Sequence, residues 1–117
     1  MAKLSYAYID RNVNMIYEML RELPSLKDCP PVANVDITVD DTDKGMMGYC
    51  IQVTETKWEI GINPYFMKTY ADLVSTMAHE MCHILVDQLG KPIKDVHGKP
   101  FQKFASRAGK ELGIDIT

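Results

Sequence analysis

The chain has 117 residues and a formal net charge of −3, with 46% hydrophobic and 25% charged residues. That is enough for one globular domain, expected to span 1–117, and the mild negative charge offers nucleic acid no bulk attraction. No stretch is apolar enough for a signal peptide or a membrane span. Cys29, Cys50 and Cys82 form neither a Cys-x-x-Cys pair nor an even disulfide set, so a cytoplasmic protein without membrane contact is expected.

In chain order, apolar residues at near-helical spacing (Leu4, Ala7, Tyr8, Val13, Ile16, Tyr17, Leu20, Leu23) predict a helix over about Ser5 to Leu23, closed by Pro24. Ser25 to Pro31 reads as a loop. Val32 to Val39 alternates apolar and polar residues, as a strand with one wet face does. Asp40 to Gly45 reads as a solvated turn, because it lacks the bidentate glutamate and the spacing of a calcium loop. Met46 to Thr54 and Lys57 to Asn63 are predicted strands, joined by a tight turn at Glu55-Thr56. The three strands are expected to form an antiparallel meander, which Asn63-Pro64 ends.

Pro64 to Tyr70 is a connector. A second helix starts near Asp72, where an acidic residue suits the helix dipole. It runs to about Leu89 and stops at Gly90 and Pro92. After a short loop, a last helix begins at Gly98 with Pro100 in its first turn. Phe101, Phe104, Ala105, Ala108 and Leu112 make its buried face, and Ile114 to Thr117 reads as a tail. The fold class is therefore α+β.

The second helix carries His79-Glu80-Met81-Cys82-His83, a His-Glu-x-x-His pattern. Residues four apart lie on one helical face, so His79 and His83 can offer two imidazole nitrogens to one ion. Glu80 sits about 100° round the helix from His79. From there it reaches a water on the ion without binding the ion itself. Zinc hydrolases use that division between nitrogens that hold the metal and a carboxylate that takes a proton. The surrounding apolar residues, from Leu73 to Leu89, imply that the helix is buried, and buried polar groups need partners.

A third ligand is required. His97 is the one other histidine. The helix continues roughly 10 Å from His83 to Gly90, and the next seven residues can span up to about 23 Å, so His97 can return to the metal. Asp87, one turn beyond His83 on the same face, and Glu111 in the last helix stand behind it as alternatives. Asp87 and Asp95 are candidates to orient a ligand. Cys82 lies about 80° from the mean ligand direction and is placed for packing.

His79-Glu80-Met81-Cys82-His83 followed by His97-Gly98-Lys99-Pro100-Phe101 resembles the SprT-like metallopeptidase family, which includes the Spartan proteases. Met47-Gly48-Tyr49 and Trp58 to Pro64 fit the same pattern, and the resemblance covers roughly 45 to 108. It implies a zincin-like minimal core with a small sheet before the zinc helix. It also implies His79, His83 and His97 as ligands of one Zn2+, and Glu80 as catalytic acid/base. No cysteine-rich C-terminal ribbon or DNA-binding tail of the kind found in longer members is visible.

The expected activity is hydrolysis of peptide bonds in a protein or peptide substrate by Glu80-assisted attack of a zinc-bound water. Tyr65, Tyr70 and Arg107 are candidate oxyanion donors. Two alternatives remain. One is a metal-dependent nuclease or nucleic-acid-associated protein using the stripe Lys99, Lys103, Arg107 and Lys110, although such a stripe is ordinarily a solvated face. The other is a zinc-stabilised binding module without catalysis.

Overall fold

A computed structural model describes residues 4–40 and 45–116. Helix α1 spans Tyr6–Leu20 and begins at Ser5, whose side chain accepts the Tyr8 N–H. Ile9, Val13, Ile16, Tyr17 and Leu20 turn inward at helical spacing, whereas Tyr8 and Ala7, expected on that face, are exposed. The helix stops before Leu23 because Pro24 disfavours helical geometry at the residue preceding it. Turn-type bonds from Glu22 to Met19 and from Leu23 to Leu20 finish the helix. The predicted loop then follows, anchored by Tyr17, which donates its hydroxyl to the Pro30 carbonyl at 2.7 Å.

The first predicted strand is shorter than its alternation suggested. Val32–Asn34 form a 3-10 turn, and β1 is Val35–Val39. Strands β2, Gly48–Thr54, and β3, Lys57–Ile62, form the hairpin around Glu55-Thr56. The sheet order is β1-β3-β2, with β1 parallel to β3 and β2 antiparallel to it.

The expected antiparallel meander is therefore corrected to a mixed sheet. The hairpin folds β3 back into the central position, beside β1, instead of adding it outside β2. Residues 40–47, between β1 and β2, are a long enough connection to bridge the width of the intervening strand. Central placement matches the composition of β3, since Trp58, Ile60 and Ile62 are its inward residues and all three are buried. Its outward Gly61 lies under the Tyr49 ring, in space that a Cβ atom would need. The turn expected over Asp40 to Gly45 falls largely outside the described residues.

Asn63 caps a 3-10 turn over Pro64–Phe66 and donates its amide to the Met46 carbonyl at 2.8 Å. Helix α2, Tyr70–Gln88, opens with a reciprocal cap: Thr69 accepts the Asp72 N–H, and Asp72 accepts the Thr69 N–H. It ends at Leu89, where Gly90 takes φ +66°. Helix α3, Lys99–Leu112, follows Gly98 and ends at Gly113, with φ +72°.

The inner faces of the sheet and of all three helices close one core, in which Met77, Met81 and Ile84 of α2 are completely buried. No helix among the described residues is long and apolar enough to cross a membrane. The three cysteines are free thiols, Cys29 and Cys82 buried.

Candidate metal centre

Helix α2 is apolar on most of its circumference, so burying it in the core fixes the one polar interruption in its surface. His79 and His83 are half-buried on that face, with ring centroids 5.0 Å apart. The loop after Gly90 returns His97 to them. Asp95 organises the return: its Oδ1 accepts the His97 N–H at 3.0 Å, and its carbonyl accepts the Gly98 N–H. Gln102 of α3 then donates to the His97 carbonyl. Asp95 thus holds the backbone of His97 and leaves the imidazole free.

The three imidazoles each offer a nitrogen, all within 4.8 Å of one another. His79 Nε2 and His97 Nε2 are 3.3 Å apart. That is about the edge of a tetrahedron around an ion with metal–nitrogen bonds of roughly 2.0–2.1 Å. His79 Nδ1 lies 2.9 Å from the Ile116 carbonyl. A carbonyl only accepts, so Nδ1 carries the proton and Nε2 keeps its lone pair toward the other two rings. The donor set therefore fits a divalent ion, and no fourth protein ligand joins the cluster among the described residues.

Phe101 is the floor of the site. Its buried ring lies 4.8 Å from His79, 4.5 Å and nearly parallel from His83, and 4.9 Å from His97, centroid to centroid. Burial, with the neighbouring imidazoles, drives the His83 pKa from 6.5 down to about 4, and burial also lowers that of His79. Both rings are thus neutral, the form that binds a metal.

Glu80 is 5% exposed, and its carboxyl group makes no hydrogen bond or ion pair among the described residues. Burial raises its pKa from 4.5 to about 8. Gly48 opposite keeps the approach clear, since a Cβ there would meet the Gly61 carbonyl at 2.8 Å and the Glu80 carboxylate at 3.2 Å.

Two adjoining hollows of about 300 Å³ each form a cleft over the histidines. Met46, Gly48, His79 and Glu80 line both. Ser75, Thr76 and Ile116 bound one end, and Cys50, Asp87, Val96 and His97 the other.

The remaining candidates separate from this centre. Asp87 lies in the cleft wall, but its Oδ2 accepts the Trp58 indole N–H at 3.0 Å and orients no histidine. Glu111 turns to Ser25, accepting both its N–H and its hydroxyl, and does not line the cleft. Tyr65 and Tyr70 are exposed and do not line the cleft, and neither does Arg107. Lys99, Lys103, Arg107 and Lys110 are all exposed on α3, outside the cleft. Sequence reasoning missed Ile116, whose part is played by a backbone carbonyl and leaves no residue-type signal. It also missed Phe101 as a site residue, because a buried aromatic on a helix reads first as core.

No curated protein matches the chain. The model of the SprT-like family matches residues 16–117, from the middle of α1 through every element that builds the site. A match over that span, with the two histidine elements on one centre, places the chain in the SprT-like family.

Proposed function

We propose that the protein is a zinc-dependent peptidase. The observation that carries this reading is the division of labour on α2 and its neighbours. Three imidazoles converge from one side, and a separate Glu80 carboxyl group, which coordinates with none of them, stands beside them. A set of three histidines that leaves a coordination position open is a catalytic zinc arrangement, whereas a structural site is closed by four protein ligands.

When bound, the ion supplies Lewis acidity, acidifying water and polarising a carbonyl. His79, His83 and His97 would hold it. Glu80 would accept the proton of the attacking water and deliver it to the leaving amide nitrogen. Its burial, which raises its proton affinity, suits a group that must do both near neutral pH. The edge strand β2 leads into the cleft at Gly48, so an extended peptide can pair with that edge and lie across the histidines.

The experiment is Glu80→Gln, assayed for cleavage of an unfolded protein substrate and for bound zinc. Zinc retained at one per chain, with cleavage reduced about 10²–10⁴-fold, is the expected result. Undiminished cleavage would remove Glu80 from the chemistry.

A further inference from the structure

The segment after α3 is folded back onto the metal centre by a chain of specific contacts. Gly113 turns the backbone with its positive φ, and both its N–H and that of Ile114 bond to the Gly109 carbonyl. Gly109 leaves the return path open: a Cβ there would stand 2.8 Å from the Ile114 carbonyl oxygen and 3.7 Å from the Ile116 side chain. Ser75 of α2 donates its hydroxyl to the Asp115 carbonyl at 3.0 Å. Ile116 is 3% exposed, and its carbonyl stands 2.9 Å from His79 Nδ1.

We infer that Gly113–Ile116 is a positioning strap for the metal site, whose Ile116 carbonyl selects the Nδ1–H tautomer of His79 and so presents Nε2 to the ion. Free imidazole side chains favour the other neutral tautomer, in which Nε2 carries the proton and cannot ligate. The hydrogen bond at Nδ1 reverses that preference and also fixes the ring's rotation. Among the described residues, neither the His83 nor the His97 imidazole meets a comparable backbone carbonyl, so the strap acts on one ligand of three. It also completes the cleft wall beside Thr76 and Met47. The inference rests on His79 being a metal ligand, as the peptidase reading has it, but is tested without any peptide.

The test begins with the metal-free wild type labelled with 15N-histidine. Its His79 resonances should report a protonated Nδ1 and an unprotonated Nε2. The reverse tautomer would overturn the proposal outright, whatever the variants do.

Gly109→Ala and Ile116→Asp should both dislodge the strap, the first while favouring the α3 helix itself. In each, His79 should shift toward the Nε2-protonated form, and the zinc dissociation constant, measured by competition with a chelating dye, should weaken about 10-fold or more. His97, whose Nε2 lies 3.3 Å from His79 Nε2, should respond only as a consequence of the His79 change, and Ile116→Val should behave as wild type. His79 resonances and zinc affinity both unchanged, although the amide signals of Asp115 and Ile116 have moved, would overturn the proposal. If both variants fail to fold, the wild-type tautomer decides. A wild type that binds zinc and cleaves nothing would count against the peptidase reading and leave the strap intact.

Discussion

The candidate metal centre is assembled from two kinds of structure that hold their residues by different means. On α2, His79, Glu80 and His83 are fixed relative to one another by backbone periodicity, on a helix whose other faces are packed in the core. Opposite them, His97 and Ile116 come from irregular segments. They are held by a few named contacts: Asp95 to the His97 N–H, Gln102 to its carbonyl, and Ser75 to Asp115. The helix supplies geometry as a consequence of folding at all, while the loop and the segment after α3 supply it only if those contacts form. Substitutions on the helix side should therefore act on chemistry or global stability. Substitutions on the other side should weaken or abolish metal binding and leave the fold intact.

The largest effect that would sharpen this contrast is at Phe101, the ring that touches both sides. Phe101→Ala should cost about 3–5 kcal/mol in stability, through the cavity left among His79, His83 and α2. Phe101→Leu should recover most of the stability but not the zinc affinity, because a branched aliphatic side chain cannot stack flat against His83. Chemical denaturation and zinc titration on the same samples check both halves. Equal zinc affinity in Phe101→Leu and wild type would show that the ring is core packing alone.

Next comes pH, in the metal-free protein. Glu80 titrates near 4.5 in the unfolded chain and about 8 in the folded one, so its contribution is complete below 4.5 and is lost as pH rises to 8. His83 moves the other way, from 6.5 down to about 4. Its contribution is complete above 6.5 and is lost as pH falls to 4. Glu80→Gln removes the first slope alone. At pH 8 the metal-free variant should exceed metal-free wild type by on the order of 2–4 kcal/mol, and the two should converge near pH 4.5. Parallel stability curves would mean that the Glu80 carboxyl group is solvated after all.

A smaller effect is expected at His97. Because it is exposed, His97→Ala should leave metal-free stability within about 0.5 kcal/mol of wild type while abolishing stoichiometric zinc. Loss of metal-free stability as well would erase the distinction between the two halves. On zinc binding the smallest effect belongs to Asp95→Ala, which removes one hydrogen bond to the His97 backbone, worth about 1 kcal/mol. Zinc should then bind a few-fold more weakly, with the fold intact by circular dichroism.

The same contrast explains what could be read from the sequence. The motif on α2 was legible because its residues are four apart and helical spacing is local. His97 was reachable because the length of the intervening chain bounds where it can go. The hydrogen bond from His79 to Ile116 joins residues 37 apart through a backbone atom, and no residue pattern announces it. The sheet shows the same limit. Alternation identified the three strands, yet the central place of β3, parallel to β1, depends on which backbone edges pair, and side-chain pattern does not encode that. Asp87 shares the helical face of the histidines, as periodicity implied, but its partner proved to be an indole on β3. Tyr65, Tyr70 and Arg107 have the side-chain chemistry of an oxyanion donor, but packing leaves all three outside the cleft.

The chain has a single tryptophan, and Trp58 donates its indole N–H to a carboxylate in the wall of the cleft beside the histidines. The protein therefore carries its own optical reporter. An excited indole is sensitive to the charge on a hydrogen-bonded neighbour, so protonation of Asp87, or a cationic side chain drawing that carboxylate away, will register in emission wavelength and lifetime. Occupancy of the cleft can then be followed in real time on unlabelled protein, with no second fluorophore to subtract.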